Sequence, residues 1–184
     1  NFTGTKPVAE RHAFDVAALQ AHLAAHLPGF AGPLAVEQFK GGQSNPTYKL
    51  VTPTQACVMR AKPGPAAKLL PSAHAVDREY RVMRALGPAG VPVPRAVLFH
   101  AERDVVGTPF YLMEKLEGRV FAAHSLPGLA PAERGAMYRS MADTLATLHR
   151  VDPAAAGLAD YGKPGNYFAR QVARWSRQWE ASRT

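Results

Sequence analysis

The sequence predicts an α+β fold with a strand-rich first part and a helical second part. Two observations carry that expectation. Three short strand-like runs, 33–40, 45–52 and 55–62, follow one another with turn signals between them, as in an antiparallel meander. From Pro131 onward every apolar period is helical. The chain of 184 residues, 47% apolar and 20% charged, has an ordinary globular composition. It is long enough to bury a core without staples. Cys57 is the only cysteine, which excludes an internal disulfide and favours a reducing, cytoplasmic setting. No apolar run reaches the roughly 18 residues of a membrane span. No basic-then-apolar leader opens the chain, and Asn1 in place of Met suits a processed or trimmed piece. A net charge of +8 suits an anionic partner: a nucleotide, coenzyme A, RNA or a membrane surface. Composition alone favours the plainer account, a basic protein rich in Arg, Ala and Pro.

The first strong period lies in "FDVAALQAHLAAHLPG", residues 14–29. Val16, Leu19, Leu23 and Leu27 fall on one face, and Pro28-Gly29 stops the helix, which is expected over about 14–28. His22 and His26 flank that stripe at helical spacing without a third ligand in view, so packing or solvated histidines are preferred to a metal pair. The three strand-like runs come next, separated by Gly41-Gly42 and Thr52-Pro53. In the third, the period of two sets Val58, Arg60 and Lys62 on one face and Cys57, Met59 and Ala61 on the other.

A helix is expected over 72–87, with Ser72 as its cap and Gly87 at its end. Val76, Tyr80, Met83 and Leu86 form its buried stripe, and Glu79 lies beside that stripe. Strands are expected at 95–100 and 109–116, joined by a turn around Asp104 and Gly107. The helix from Pro131 to His149 aligns Met137, Met141, Leu145 and Leu148, read as core packing. The last helix, 165–182, aligns Phe168, Val172, Trp175 and Trp179.

Three features then line up. A glycine loop joins two strands, a cation (Arg60 or Lys62) sits on the third, and a helix presents Glu79. This is the order used by kinase nucleotide sites, where loop amides and a strand cation hold phosphates and the glutamate holds the cation. Each piece alone is weak, and the order of all three is harder to obtain by accident.

The stretches "FKGGQSNPTYKL", "CVMRAKPGPAAKLLPSAHAVDREYRVMRAL" and "GTPFYLMEKLEGRVF" carry a resemblance. They resemble the aminoglycoside phosphotransferase and choline kinase-like family, in the branch associated with acyl-CoA dehydrogenases. The tail "LHRVDPAAAGLADYGKPGNYFARQVARWSRQW" resembles it too, so the likeness runs from about residue 30 to the end. It implies a protein-kinase-like N-lobe, a five-stranded antiparallel sheet with an αC-type helix, over residues 1–115. The first helices of an α-rich C-lobe would follow over 116–184. It also implies that Gly41, Gly42, Gln43, Ser44 and Asn45 lie over an ATP triphosphate. Arg60 takes the place of the kinase strand lysine, with Lys62 as runner-up, and Glu79 that of the helix glutamate. Val58 and Met113 would line the adenine pocket. Glu114, Lys115 and Leu116 would form the hinge, with the Glu114 carbonyl and the Leu116 N–H facing the adenine edge.

The family's catalytic His-x-Asp motif, the Asn that follows it and the later metal-binding Asp do not occur in order. "HRVD" (149–152) has one residue too many, and "DYG" (160–162) follows it too closely to leave room for a catalytic loop. Both are read as decoys. The resemblance therefore implies an ATP-dependent small-molecule kinase that transfers the γ-phosphate to a hydroxyl, and its branch suggests a hydroxyacyl or coenzyme A-linked acceptor. Its catalytic half and Mg²⁺ ligands would lie outside this chain. The alternative is a non-catalytic nucleotide- or partner-binding module. A membrane or nucleic-acid surface binder using Arg170, Arg174 and Arg177 around the tryptophans is disfavoured, because the basic residues are otherwise scattered. The bare Trp175/Trp179 face is expected to promote dimerisation.

Overall fold

The computed structural model describes residues 3–41, 45–64 and 74–183. It divides into two compact units, Asn1–Arg150 and Val151–Thr184. In the first, strand β1 (Thr5–Lys6) and a short 3-10 turn (Glu10–His12) lead into helix α1 (Val16–His26). Strands β2 (Ala35–Phe39), β3 (Thr47–Val51) and β4 (Ala56–Ala61) follow, then helix α2 (Val76–Leu86). Strands β5 (Ala96–His100) and β6 (Phe110–Glu114) precede helix α3 (Pro131–Arg150). The second unit carries helix α4 (Tyr167–Ser182).

Among the described residues the sheet has six strands in the order β1-β2-β3-β4-β6-β5, and every pair is antiparallel. The sequence reading counted five. The extra one, β1, is two residues long, too short to show a period. Thr5 and Lys6 pair with Phe39 and Gln38, and the Thr5 hydroxyl donates to Glu37 at 2.9 Å.

Helix α1 starts where Asp15 caps it, its carboxylate accepting from the Ala17 and Ala18 amides at 2.8 and 3.0 Å. Its Leu19 and Leu23 are fully buried with Tyr48, Leu50, Met59, Phe110 and Leu112 in one core. Alternation turns Tyr111 and Arg60 away from that core, toward the face on which α2 packs against β5 and β6. Tyr80 of α2 stacks on Phe99 with centroids 5.5 Å apart. Phe110, Tyr111 and Leu112 are all buried, so β6 reads as a continuous apolar run because both its faces are covered.

Several local expectations are revised. Ser72 lies outside the described residues, and the observed N-cap of α2 is Ala75, with no side-chain bond. Gly87 does end the helix, donating to the Met83 carbonyl at 3.2 Å. Met137 and Met141 do not form core packing. No residue of α3 is buried, and Met141 is 64% exposed. A helical period specifies an apolar face without specifying what covers it. The α4 stripe is exposed likewise, and Arg174 lies over Trp175. Within "HRVD" and "DYG", His149 lies in the last turn of α3, which ends at Arg150, the Asp152 carboxylate accepts from the Ala154 amide at 2.8 Å, and residues 159–162 form turn and bend.

The α1 histidines pack. His22 stacks on His26 with centroids 4.2 Å apart and meets His100 edge-on at 4.4 Å, and His100 pairs with Asp104 at 2.6 Å. No group of three or more potential metal ligands converges among the described residues. Partial burial, then the charges of His100 and His26, hold the His22 pKa below its ordinary value.

Two outcomes follow for stability. Leu23→Ala should cost about 2–5 kcal/mol in urea unfolding, since it empties a fully buried site. His22 takes a proton less readily in the folded chain than in the unfolded one. Stability should therefore fall as pH drops below about 6.5, and His22→Phe should flatten that dependence between pH 8 and 5.

Candidate functional site

Antiparallel pairing sets Arg60 of β4 opposite Thr47 on β3 and Tyr111 on β6. One turn into α2, Glu79 reaches the same place. The Tyr111 hydroxyl donates to Glu79 Oε2 at 2.9 Å, and the Asn45 carboxamide donates to Oε1 at 2.9 Å. Arg60 Nε lies 3.0 Å from Oε2. That contact is an ion pair by distance only. The Nε–H does not point along a hydrogen-bond line, and this buried atom has no acceptor among the described residues.

Asn45 is 2% exposed and committed at both ends. Its Nδ2 must donate to the carboxylate, so its Oδ1 faces His74 Nδ1 at 2.8 Å. Oδ1 can only accept, which places a proton on His74 Nδ1. His74 lies just before α2 with φ 63°. A left-handed histidine costs on the order of 1 kcal/mol, and such outliers gather where side chains must be aimed.

Burial first, then the charge and hydrogen bond of Glu79, push the Tyr111 phenol well above the ordinary tyrosine range, against an opposing pull from Arg60. Tyr111 is therefore a permanent donor to the carboxylate at working pH.

Lys62 shares the Arg60 face by period but lies past the end of β4. Its amide donates to the Pro109 carbonyl and its carbonyl accepts from Thr108, each at 2.9 Å. It has no ion pair among the described residues. It borders a cleft of about 190 Å³ with Arg11, Phe14, Tyr48 and Thr108. Val58 pairs with Met113 across β4 and β6, giving an apolar patch. At the end of β6, the Glu114 amide donates to the Arg95 carbonyl at 2.9 Å, and the Glu114 carboxylate accepts from the Arg95 amide at 3.2 Å. Lys115 pairs with Glu117. The N–H of Leu116 has no acceptor among the described residues. Gly41 is described, whereas Gly42, Gln43 and Ser44 lie outside the described residues.

Arg60, Glu79 and Asn45 thus converge, with Val58 and Met113 paired on the neighbouring strands. Sequence reasoning missed Tyr111 and His74. The only sequence signal for Tyr111 is its phase in a strand whose partner cannot be read locally. His74 had none.

Residues 35–184 match the sequence profile of the phosphotransferase enzyme family. The chain is 45% identical over 182 residues to acyl-CoA dehydrogenase family member 11 of Rattus norvegicus, and 47% over 184 residues to that of Gallus gallus. Each match covers 97% of this chain and 23% of the relative, so the chain spans under a quarter of the curated relatives it matches. It also matches a solved Ralstonia eutropha JMP134 structure provisionally named an aminoglycoside phosphotransferase. That match has 53% identity and a TM-score of 0.79, covering 94% of this chain and 49% of that one.

Tyr111→Phe should lower stability by about 1–2 kcal/mol in urea unfolding, because a buried hydroxyl bonded to a carboxylate is lost.

Proposed function

The chain belongs to the phosphotransferase enzyme family, and on that premise we propose that it forms the nucleotide-binding part of an ATP-dependent small-molecule kinase. One observation carries the reading: Arg60 has a buried Nε–H with no acceptor among the described residues, beside a carboxylate that balances its charge from 3.0 Å. An orphaned cationic donor fits a site meant for an anion, and Arg offers donors matched to phosphate oxygens.

In this reading Arg60 takes the α- and β-phosphates, with Lys62 as the second candidate, and Glu79 holds the Arg60 rotamer. The amides of Gly41, Gly42, Gln43 and Ser44 cover the triphosphate, followed by Asn45. Val58 and Met113 supply the apolar wall for adenine. The Leu116 N–H, without an acceptor among the described residues, and the Glu114 carbonyl meet its edge. Bound ATP supplies the transferable γ-phosphoryl group. No group of three or more potential metal ligands converges among the described residues, and we assign the Mg²⁺ ligands and the catalytic aspartate to chain beyond this segment. The acceptor is a hydroxyl. The relatives' name, acyl-CoA dehydrogenase, favours a hydroxyacyl or coenzyme A-linked acceptor, and the net charge of +8 suits it. Among the described residues no helix is long and apolar enough to cross a membrane, and the single cysteine suits the cytoplasm.

Calorimetry of ATP, with and without Mg²⁺, checks this. Binding should weaken at least ~10-fold in Arg60→Ala, since a charged hydrogen-bonding partner of the phosphates is lost. Binding that ignores Arg60→Ala would overturn the assignment. Binding by the whole protein without turnover would favour a non-catalytic module.

A further inference from the structure

An arginine beside a carboxylate ordinarily closes into a two-pronged pair, two parallel N–H···O bonds in one plane. Here it does not. Glu79 stands 3.0 Å from Arg60 Nε, yet that buried Nε–H has no hydrogen-bond partner among the described residues. The carboxylate is held by other donors: its Oε1 accepts from Asn45 and its Oε2 from Tyr111, each at 2.9 Å. Asn45 is fixed in turn by His74 at 2.8 Å.

We infer that Asn45 and His74 are positioning residues that hold Glu79 off the hydrogen-bond line of Arg60, so that the carboxylate balances the cation without occupying its donors. The inference rests on the nucleotide reading for its use, since that reading assigns the Arg60 guanidinium to phosphate. Its physical content stands apart from that reading. The chain of donors has one polarity: His74 Nδ1–H to Asn45 Oδ1, then Asn45 Nδ2–H to Glu79 Oε1. Remove Asn45, and Oε1 is free to swing onto the guanidinium. The ion pair becomes tighter and the anion site weaker. A merely structural asparagine predicts the reverse, a looser pair.

The test uses this chain with Asn45→Ala, His74→Ala and Asn45→Ala combined with Glu79→Gln. Two readouts are taken: ATP·Mg²⁺ affinity by calorimetry, and rotation of the Arg60 terminal amino groups by NMR. In Asn45→Ala, affinity should fall ~10-fold and the rotation should slow as the two-pronged pair forms. His74→Ala leaves the Asn45 side chain in place and should give a smaller change in the same direction. It serves also if Asn45→Ala fails to fold. In the Glu79→Gln background the Asn45 effect should shrink to under ~2-fold, because no carboxylate is left to capture the arginine. Additive losses, or unchanged or faster rotation in the single variants, would overturn the inference. If the unaltered chain binds no ATP, the nucleotide reading fails on this segment, and the rotation measurement still decides the positioning role.

Discussion

Burial of Phe110 and Leu112 beneath α1 governs everything on the other side of the sheet, because side chains alternate along a strand. With those two pointing into the core, Tyr111 must face α2. Met59 and Ala61 on the neighbouring strand likewise leave Arg60 to face it. A slip of one residue in β4 would bury Arg60 among leucines and expose Met59. The apolar core therefore acts as the register mark for the polar cluster. Leu19 and Leu23 are far from Glu79 in chemistry, yet they set which residues meet it.

The polar cluster itself is economical in charge. One cation and one carboxylate meet at a partly covered surface, with side-chain exposures of 32% and 36%. A pair so exposed to water contributes little stability on its own. What holds it is neutral: a phenol kept protonated by burial and a carboxamide locked by an imidazole. Neutral donors fix a carboxylate without cancelling its charge, which leaves its field to act on the arginine.

Most of the fold was legible because it is local. The α1 stripe, the three-strand meander and the α2 face follow from periods of 3.6 and 2, and the observed boundaries lie within a few residues of those expected. What was hidden is non-local. The insertion of β6 between β4 and β5 places Tyr111 beside Arg60, across 51 residues of sequence, and no local pattern announces it. Period alone left Arg60 and Lys62 equivalent, whereas the end of β4 at Ala61 separates them. The apolar faces of α3 and α4 were correctly phased. The burial expected of Met137 and Met141 did not follow, because phase carries no information about a covering partner.

Those two uncovered faces have a consequence for how the chain behaves in solution. Each copy carries a net charge of +8 together with exposed Met141, Leu145, Phe168 and Trp179. Like charge repels over roughly a Debye length, about 10 Å at 0.1 M salt, while apolar faces attract only near contact. Copies are thus kept dispersed by a long-range barrier in front of a short-range well. Adding salt lowers the barrier and leaves the well untouched, so this chain becomes stickier as ionic strength rises, the opposite of an assembly held by ion pairs.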